Sequence, residues 1–273
     1  MSLQPLGLAV SALAEDLRSL GVSAGDVLMV HASLRAIGPV EGGADALLDA
    51  LDRVVGRDGT LLMILGAEIV HDFVNHLPEA ERPALLADAP PFDAVTAPVL
   101  PEVGYFAEAF RRRPGTLVND NPSGRFGARG RHAQDLLQDA PWHDYYGPGS
   151  PLERFCRMGG RVLRLGASPD TTTVLHFAEY LADVPEKRRV RRHYVCRGAD
   201  GPEIRVIECV DDEHGIVDWP GEDYFATILR EYRATGRVRQ GRVGQAQSEL
   251  IDGADLVLFG ADWMTRHFGP RHY

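Results

Sequence analysis

Apolar positions along the chain repeat at two periods, and the first stretch of the sequence shows both. Residues 8–20 carry apolar side chains at helical spacing until Gly21, which predicts a helix that ends there. The short apolar run at residues 26–30 is typical of a strand buried in a parallel sheet. Residues 44–56 then predict an amphipathic helix, and residues 59–65 a second buried strand. The order predicts a strand-helix-strand unit.

A second unit of this kind begins at Ser150. The stretch SPLERFCRMGGRVLRLG predicts a helix with Ser and Pro at its start, a Gly-Gly stop and a buried strand. The turn-rich loop ASPDTTTV leads into LHFAEY, so we expect threonine caps at a helix start and His176 in its first turns. In both units a polar loop follows a strand, where open α/β sheets bind ligands.

The remaining segments follow from the same periodicities. Residues 66–101 are irregular and Pro-rich, which predicts an insertion that folds over a pocket as a lid or specificity element. No linker separates independent domains, so residues 1–273 predict a single α/β domain. Helices are predicted over residues 102–115, 222–236 and 250–269, and an antiparallel strand pair over residues 188–210 that turns at GADG.

Composition narrows the class of protein. A chain of 273 residues with 44% apolar content can bury a large core. Asp and Glu total 39 against 29 Lys and Arg, and the net charge of −10 disfavours nucleic-acid or anionic-membrane partners and suits a cationic ligand. The chain lacks a basic leader and any apolar run near the roughly twenty residues that span a bilayer, so we expect a cytoplasmic protein.

Cysteine usage argues against metal and disulfide chemistry. Cys156, Cys196 and Cys209 form no CxxC pair and lie far apart in the sequence. We therefore expect buried thiols in a reduced compartment, with no zinc and no disulfide.

The loop HASLRAIG, residues 31–38, is the first candidate for ligand chemistry. It follows a predicted strand directly and offers small residues, backbone N–H groups and the Arg35 guanidinium, a set suited to phosphate. It matches neither a Walker loop nor GxGxxG, which disfavours kinase and dinucleotide functions. A surface loop with a solvated Arg35 is the alternative. His176 taken alone is likewise more often a packed helix residue than a catalyst.

The ordered motifs resemble a known family. The chain carries HASLRAIG, VEGGADALLDAL, GTLLMI, PPFD, GYFAEAFRRRPG, NPSGRFGARG, YGPGSPLERF, GGRVLRLGA and TTTVLHFAEYLADVP. In this order, from about residue 8 to residue 268, they resemble the aminoglycoside 3-N-acetyltransferases, antibiotic N-acetyltransferases distinct from the GNAT superfamily. The resemblance implies a three-layer α/β/α sandwich around a mixed sheet. It also implies acetyl transfer from acetyl-CoA to the 3-amino group of a 2-deoxystreptamine aminoglycoside, which would give resistance.

Site residues are carried over from the matching motifs. The resemblance implies that His176 is the catalytic base and that Glu213 orients and polarises it, with the adjacent Asp211 and Asp212 as alternatives. A helix-start position favours neutral imidazole whereas a carboxylate raises its basicity, so the two influences oppose each other. The implied coenzyme-binding residues are His31, Ser33, Leu34, Arg35, Ala36, Ile37 and Gly38.

Substrate contacts follow from the charge of the drug. A polycationic sugar requires carboxylates, and Glu179 lies three residues after His176 on the same helix face, where a helix ion pair is the alternative. No cysteine lies in an activating context, so we expect direct transfer in a ternary complex without an acyl-enzyme. The predicted substrate-binding residues are Asp72, Glu108, Glu179, Asp211, Glu222 and Asp223.

One segment departs from the family pattern. Family members commonly carry an Arg-Ser pair ahead of His-Pro or Asn-Pro and a Ser three residues beyond the Pro, whereas this chain has Val118, Asn119 and Arg125 there. If the segment contacts the pantetheine arm or the substrate, coenzyme affinity or antibiotic range differs from that of relatives.

Two other functions stay open at this point. A transferase of the same fold would act on another amine, such as an amino-phosphonate or amino-sugar. A non-catalytic protein would bind aminoglycoside tightly without releasing thiol. We expect a monomer or homodimer.

Overall fold

The computed structural model describes residues 7–270 as a mixed sheet between two layers of helices, with a separate strand pair. The strands are β1 (Val27–Ala32), β2 (Thr60–Ile64), β3 (Leu117–Val118), β4 (Phe126–Gly130), β5 (Arg161–Leu165), β6 (Arg189–Gly198), β7 (Gly201–Val210), β8 (Arg239–Val243) and β9 (Ala246–Asp252). Seven of them form the central sheet in the order β3-β4-β2-β1-β5-β9-β8. β1 runs parallel to β2 and β5, and the outer strands pair antiparallel. β6 and β7 pair only with each other.

Ten α-helices surround these strands in the described residues. They are α1 (Val10–Leu20), α2 (Leu34–Ile37), α3 (Gly43–Val55), α4 (Arg82–Leu86), α5 (Tyr105–Arg112), α6 (Ala133–Leu137), α7 (Pro151–Arg157), α8 (Leu175–Leu181), α9 (Tyr224–Ala234) and α10 (Gly253–Phe268). Within residues 7–270, none of the helices combines the length and apolar character needed to cross a bilayer.

Side chains of the central strands point alternately to the two faces of the sheet, which explains the two helix layers. Val27 and Met29 of β1 face a core shared with α6 to α10, whereas Leu28 and Val30 face a second core shared with α1, α3 and α5. Because both faces of the sheet are apolar, each needs a covering layer of helices. The predicted three-layer α/β/α fold with a mixed sheet is confirmed.

Most predicted helices and strands match the structure. The predicted helix over residues 250–269 is wrong at its start, because residues 250–252 end β9 and Asp252 caps α10. The strands β3, β4, β8 and β9 were not predicted. β8 lies at the sheet edge and is largely exposed, so it carries no apolar alternation from which it could be recognised.

The insertion over residues 66–101 packs against the separate strand pair formed by β6 and β7. Val74, Leu86 and Ala89 form a small core with Val195 of β6. The side-chain oxygen of Asn75 accepts a hydrogen bond from a β6 backbone N–H at 2.7 Å, and its NH2 group donates to a β6 carbonyl oxygen at 3.4 Å. These contacts hold the insertion on the strand pair.

Candidate active site

A cleft of about 700 Å³ opens at the carboxyl ends of the parallel strands. Its walls come from the ends of β1 and β2, the loop after β5, the start of α5, and His176 of α8. We call it the coenzyme cleft. None of residues 66–101, all of which the structure describes, lines it, and their role as a lid or specificity element stays a prediction.

Half of the predicted coenzyme loop faces this cleft. His31, Ser33, Leu34 and Arg35 line it, whereas Ala36, Ile37 and Gly38 do not. The short helix α2 turns the second half of the loop inward, so that Ile37 is fully buried in the core. The N–H groups of Ala36 and Ile37 donate to the Ser33 carbonyl oxygen at 3.0 and 3.1 Å. Those amides are therefore not free to bind phosphate, which corrects the expected contribution of this half.

His31 lies on the cleft wall as a neutral imidazole. Burial and, secondarily, the nearby charge of Arg164 lower the pKa of His31 to about 3. The ring therefore stays uncharged at neutral pH and contributes hydrogen-bonding atoms rather than charge. Its Nε2 atom is buried without a hydrogen-bond partner.

His176 lies at the start of α8 with one ring nitrogen engaged. Its Nδ1 is 2.8 Å from Oε2 of Glu179, and its ring stacks on Tyr146 at a centroid distance of 4.8 Å and an interplanar angle of 11°. The edge of Phe225 closes another side at 4.8 Å. The side chain keeps 18% of its surface exposed. With Nδ1 bound, Nε2 is the nitrogen available to a substrate.

Glu179, not Glu213, is the partner of His176. The Glu179 side chain is 1% exposed, and its second oxygen accepts a hydrogen bond from the hydroxyl of Tyr224. Glu213 is half exposed, and its carboxylate lies 3.9 Å from Arg192. This placement corrects two expectations, because Glu179 was assigned to the substrate and Glu213 to the base.

The charges around His176 decide between the two opposing influences on its pKa. Burial acts to lower the pKa of His176, but the charge and hydrogen bond of Glu179, with smaller contributions from Asp212 and Asp223, outweigh it and hold that pKa above its usual value. The imidazole is therefore a stronger base than a free histidine, fixed in one orientation by the carboxylate.

The predicted threonine caps are wrong. Val174 occupies the cap position of α8 and makes no side-chain cap. Thr172 donates to the carbonyl oxygen of Pro169 and accepts a hydrogen bond from the buried Arg164. Arg164 also donates to the carbonyl oxygen of Ala167 at 2.9 Å, so it fixes the loop that forms one wall of the coenzyme cleft.

A second, smaller cleft of about 140 Å³ lies on the other side of His176. His176 and Asp212 line both clefts. The sequence offered Asp212 only as an alternative to Glu213 for the partner of His176, not as a residue shared by two clefts. Its Oδ2 accepts a hydrogen bond from Tyr145 at 2.6 Å, and its Oδ1 lies 2.7 Å from Arg192 Nη1. The carboxylates on the wall of this acidic cleft are Glu179, Asp212, Glu213, Glu222 and Asp223.

Three predicted substrate residues lie outside both clefts. Asp72 accepts a hydrogen bond from Asn75 within the insertion. Glu108 accepts from Arg111 and from the backbone N–H of Val99. Asp211 is buried and accepts from two backbone N–H groups of its own turn at 3.0 Å. These three carboxylates bind groups of their own segments and line neither cleft, so the structure does not bring them to the other predicted site residues.

Two of the predicted substrate residues lie on the acidic cleft beside structural partners. Glu222 pairs with Arg230 and accepts from Thr227, and Asp223 caps α9. Among residues 7–270, no group of three or more His, Cys, Asp or Glu side chains is placed to hold a metal ion.

Comparison with known proteins decides the family. The model of the aminoglycoside 3-N-acetyltransferase family matches residues 29–265. Aminoglycoside N(3)-acetyltransferase VII of Streptomyces paromomycinus is 40% identical over 265 residues, covering 94% of this chain and 91% of that protein. The chain belongs to the aminoglycoside 3-N-acetyltransferase family.

Solved structures of this family agree in fold. AAC-IIIb in a binary complex with CoASH superposes with a TM-score of 0.91 at 37% identity, covering 98% of this chain and 100% of that one. AAC-VIa with bound sisomicin gives a TM-score of 0.88 at 35% identity, covering 96% and 100%. The resemblance, the acyltransferase class and acetyl-CoA as co-substrate are confirmed.

The segment that departs from the family pattern lies behind the residues that line the coenzyme cleft. Asn119 accepts a hydrogen bond from the Phe126 N–H at 2.6 Å and donates to the Gly124 carbonyl oxygen at 2.9 Å, which closes a turn. Val118 packs beside the core, and Arg125 is fully buried. None of the three departing residues lines the coenzyme cleft. The departure therefore changes internal support rather than a direct ligand contact.

Glu213→Gln tests which carboxylate acts on the base in this member of the family. We expect kcat to stay within about threefold of the original, because the half-exposed Glu213 does not contact His176. Steady-state kinetics with a fixed aminoglycoside measure the effect. A fall in kcat of about a hundredfold would return the partner assignment to Glu213.

Proposed function

We propose that this protein transfers the acetyl group of acetyl-CoA to the 3-amino group of a 2-deoxystreptamine aminoglycoside. The observation that carries the proposal is the junction between the two clefts, where His176 and Asp212 line both. Acetyl-CoA would enter the coenzyme cleft beside Arg35, and the drug would approach through the acidic cleft. Carboxylates suit a polycation because they make charge-assisted hydrogen bonds to ammonium groups.

His176 acts as the general base in the proposed reaction. The ammonium group gives one proton to solvent before attack, and Nε2 accepts a second proton as the amine nitrogen bonds to the thioester carbonyl carbon. The carbon–sulfur bond then breaks, and the proton on His176 passes to the departing sulfur to give free CoA and the amide. Glu179 stabilises the imidazolium that forms between these two transfers.

The reaction runs by direct transfer in a ternary complex. Burial raises the pKa of Cys156 to about 12, that of Cys196 to about 11 and that of Cys209 to about 12, so all three thiols stay protonated. In the described chain none of them lines either cleft. None of these three thiols is therefore available as the nucleophile that would form an acyl-enzyme, and the amine itself attacks the thioester.

Asp212 positions the reacting amine in this proposal. Its carboxylate is 16% exposed and fixed by Tyr145 and Arg192, beside the catalytic ring. Acetylation neutralises one ammonium group of the drug, which removes a charge that attracts it to ribosomal RNA phosphates. Antibiotic resistance follows from that loss, and the supply of acetyl-CoA assigns the reaction to the cytoplasm.

The test is a CoA-release assay over a panel of 2-deoxystreptamine aminoglycosides. We expect release that depends on the drug, and products acetylated on the 3-amino group by mass and NMR spectroscopy. Release only with amino-phosphonates or simple amino-sugars would assign a different amine. Tight drug binding without thiol release would assign a binding protein. No turnover across the panel by folded protein would overturn the proposal.

A further inference from the structure

The two ends of the insertion over residues 66–101 meet at one buried side chain. Arg125 is fully buried, and its Nη1 donates to the carbonyl oxygen of Gly66 at 2.9 Å and to that of Pro98 at 3.2 Å. Its Nη2 donates to the carbonyl oxygen of Ala97 at 2.8 Å. One guanidinium therefore ties the departing end of the insertion to its returning end.

The backbone of Arg125 also holds the departing end of the insertion. Its carbonyl oxygen accepts the N–H groups of Leu65 at 2.8 Å and Gly66 at 3.2 Å. The two ends also bind each other, since the N–H of Leu100 donates to the Leu65 carbonyl oxygen at 3.1 Å. The planar fork of arginine suits this geometry because it presents several donors at fixed angles.

The tied ends continue directly into the wall of the coenzyme cleft. Ile64 lies two residues before Gly66 and lines that cleft. On the returning side, the N–H of Val103 donates to the Leu100 carbonyl oxygen at 3.0 Å, and residues 102–107 line the cleft. A shift of either end would therefore move a wall that faces acetyl-CoA.

The chemistry of the contact argues for positioning rather than simple stability. All three side-chain hydrogen bonds of Arg125 go to carbonyl oxygens, and its Nε has no hydrogen-bond partner. Burying a cation on carbonyl groups is costly compared with an apolar side chain of similar size. These hydrogen bonds hold the two ends of the insertion at a fixed distance from each other.

We propose that Arg125 is a positioning residue that sets the coenzyme cleft by tying both ends of the insertion. The inference rests on acetyl-CoA binding in the proposed function. It predicts weaker coenzyme binding without Arg125, whereas the acetyl transfer step at His176 is preserved.

Arg125→Met and Arg125→Lys test the proposal. Met keeps the length without donors, and Lys keeps the charge with a single donor nitrogen. We expect Met to raise the Kd for CoA in calorimetry, and the KM for acetyl-CoA, by about tenfold, with kcat within about threefold. Lys is expected to fall between Met and the original. Arg266→Met, at an exposed pair with Asp262, is the matched control.

Hydrogen exchange separates positioning from general destabilisation. In Arg125→Met, amides of residues 62–68 and 96–106 should exchange at least about tenfold faster, while those of β1 stay protected. Unchanged CoA affinity in either folded variant would overturn the proposal, as would uniform loss of protection across the sheet. If Met does not fold, Lys supplies the same readouts. CoA calorimetry needs no turnover, so a failed aminoglycoside assay leaves this test intact.

Discussion

Replacing His176 by alanine is expected to lower kcat by about two orders of magnitude or more. Among residues 7–270, His176 carries the only ring that lines both clefts, and in the proposed reaction its loss leaves the amine without a base. Binding should survive, because the acidic cleft keeps its carboxylates and the coenzyme cleft its loop. Stopped-time CoA release gives kcat, and calorimetry gives the Kd of CoA and of the drug, each expected within about threefold of the original.

The control for this variant is His132→Ala. His132 precedes α6 and its ring lies 3.4 Å from Asp135, so its loss should leave kcat unchanged. A His176→Ala protein that is folded, binds both ligands and retains its kcat would remove His176 from the mechanism. Loss of CoA binding together with kcat would instead assign the ring to coenzyme binding.

Replacing Glu179 by glutamine has the second largest expected effect. The carboxylate charge raises the pKa of His176, whereas burial acts to lower it. Without the charge the burial effect dominates, so the pKa of His176 falls and the acid limb of the kcat/KM profile moves to lower pH. The imidazolium formed during proton transfer also loses its counter-charge, so kcat should fall by about ten- to a hundredfold.

The measurement is a pH profile of kcat/KM for both the original protein and Glu179→Gln. Glutamine is close in shape, and its carbonyl oxygen still accepts from the Nδ1 proton, so the position of the acid limb reports the lost charge. Its NH2 group cannot accept the hydrogen bond from Tyr224, and that lost bond contributes to the fall in kcat. Glu213→Gln is the matched comparison on the same cleft and should leave the acid limb in place. If the acid limb of the pH profile stays in place in Glu179→Gln, or moves in Glu213→Gln, the partner of His176 is Glu213 and not Glu179.

Local sequence patterns were sufficient for the elements that carry the site. Runs of consecutive apolar residues mark β1, β2 and β5, because both faces of a buried central strand must be apolar. The helices beside these strands carry apolar residues at helical spacing. The motif order identified the family and predicted His176 and seven loop residues as site residues, of which His176 and half of the loop line the cleft. The edge strand β8 was not predicted, because its exposed residues carry no apolar alternation.

Contacts between distant segments were decided only by the tertiary structure. The i+3 spacing placed Glu179 near His176, but the choice of Glu179 over Glu213 depends on Tyr224, 45 positions further along the chain, which binds the second oxygen. Asp212 became a site residue because folding brings its turn between two clefts. The sequence predicted a lid or specificity element over residues 66–101, but the contacts of that segment with Val195 and Arg125 depend on the fold. The sequence by itself determined most of the elements and placed His176 at the start of α8. The fold decided which charges surround that histidine, because burial and proximity are properties of packed segments rather than of neighbours in the chain.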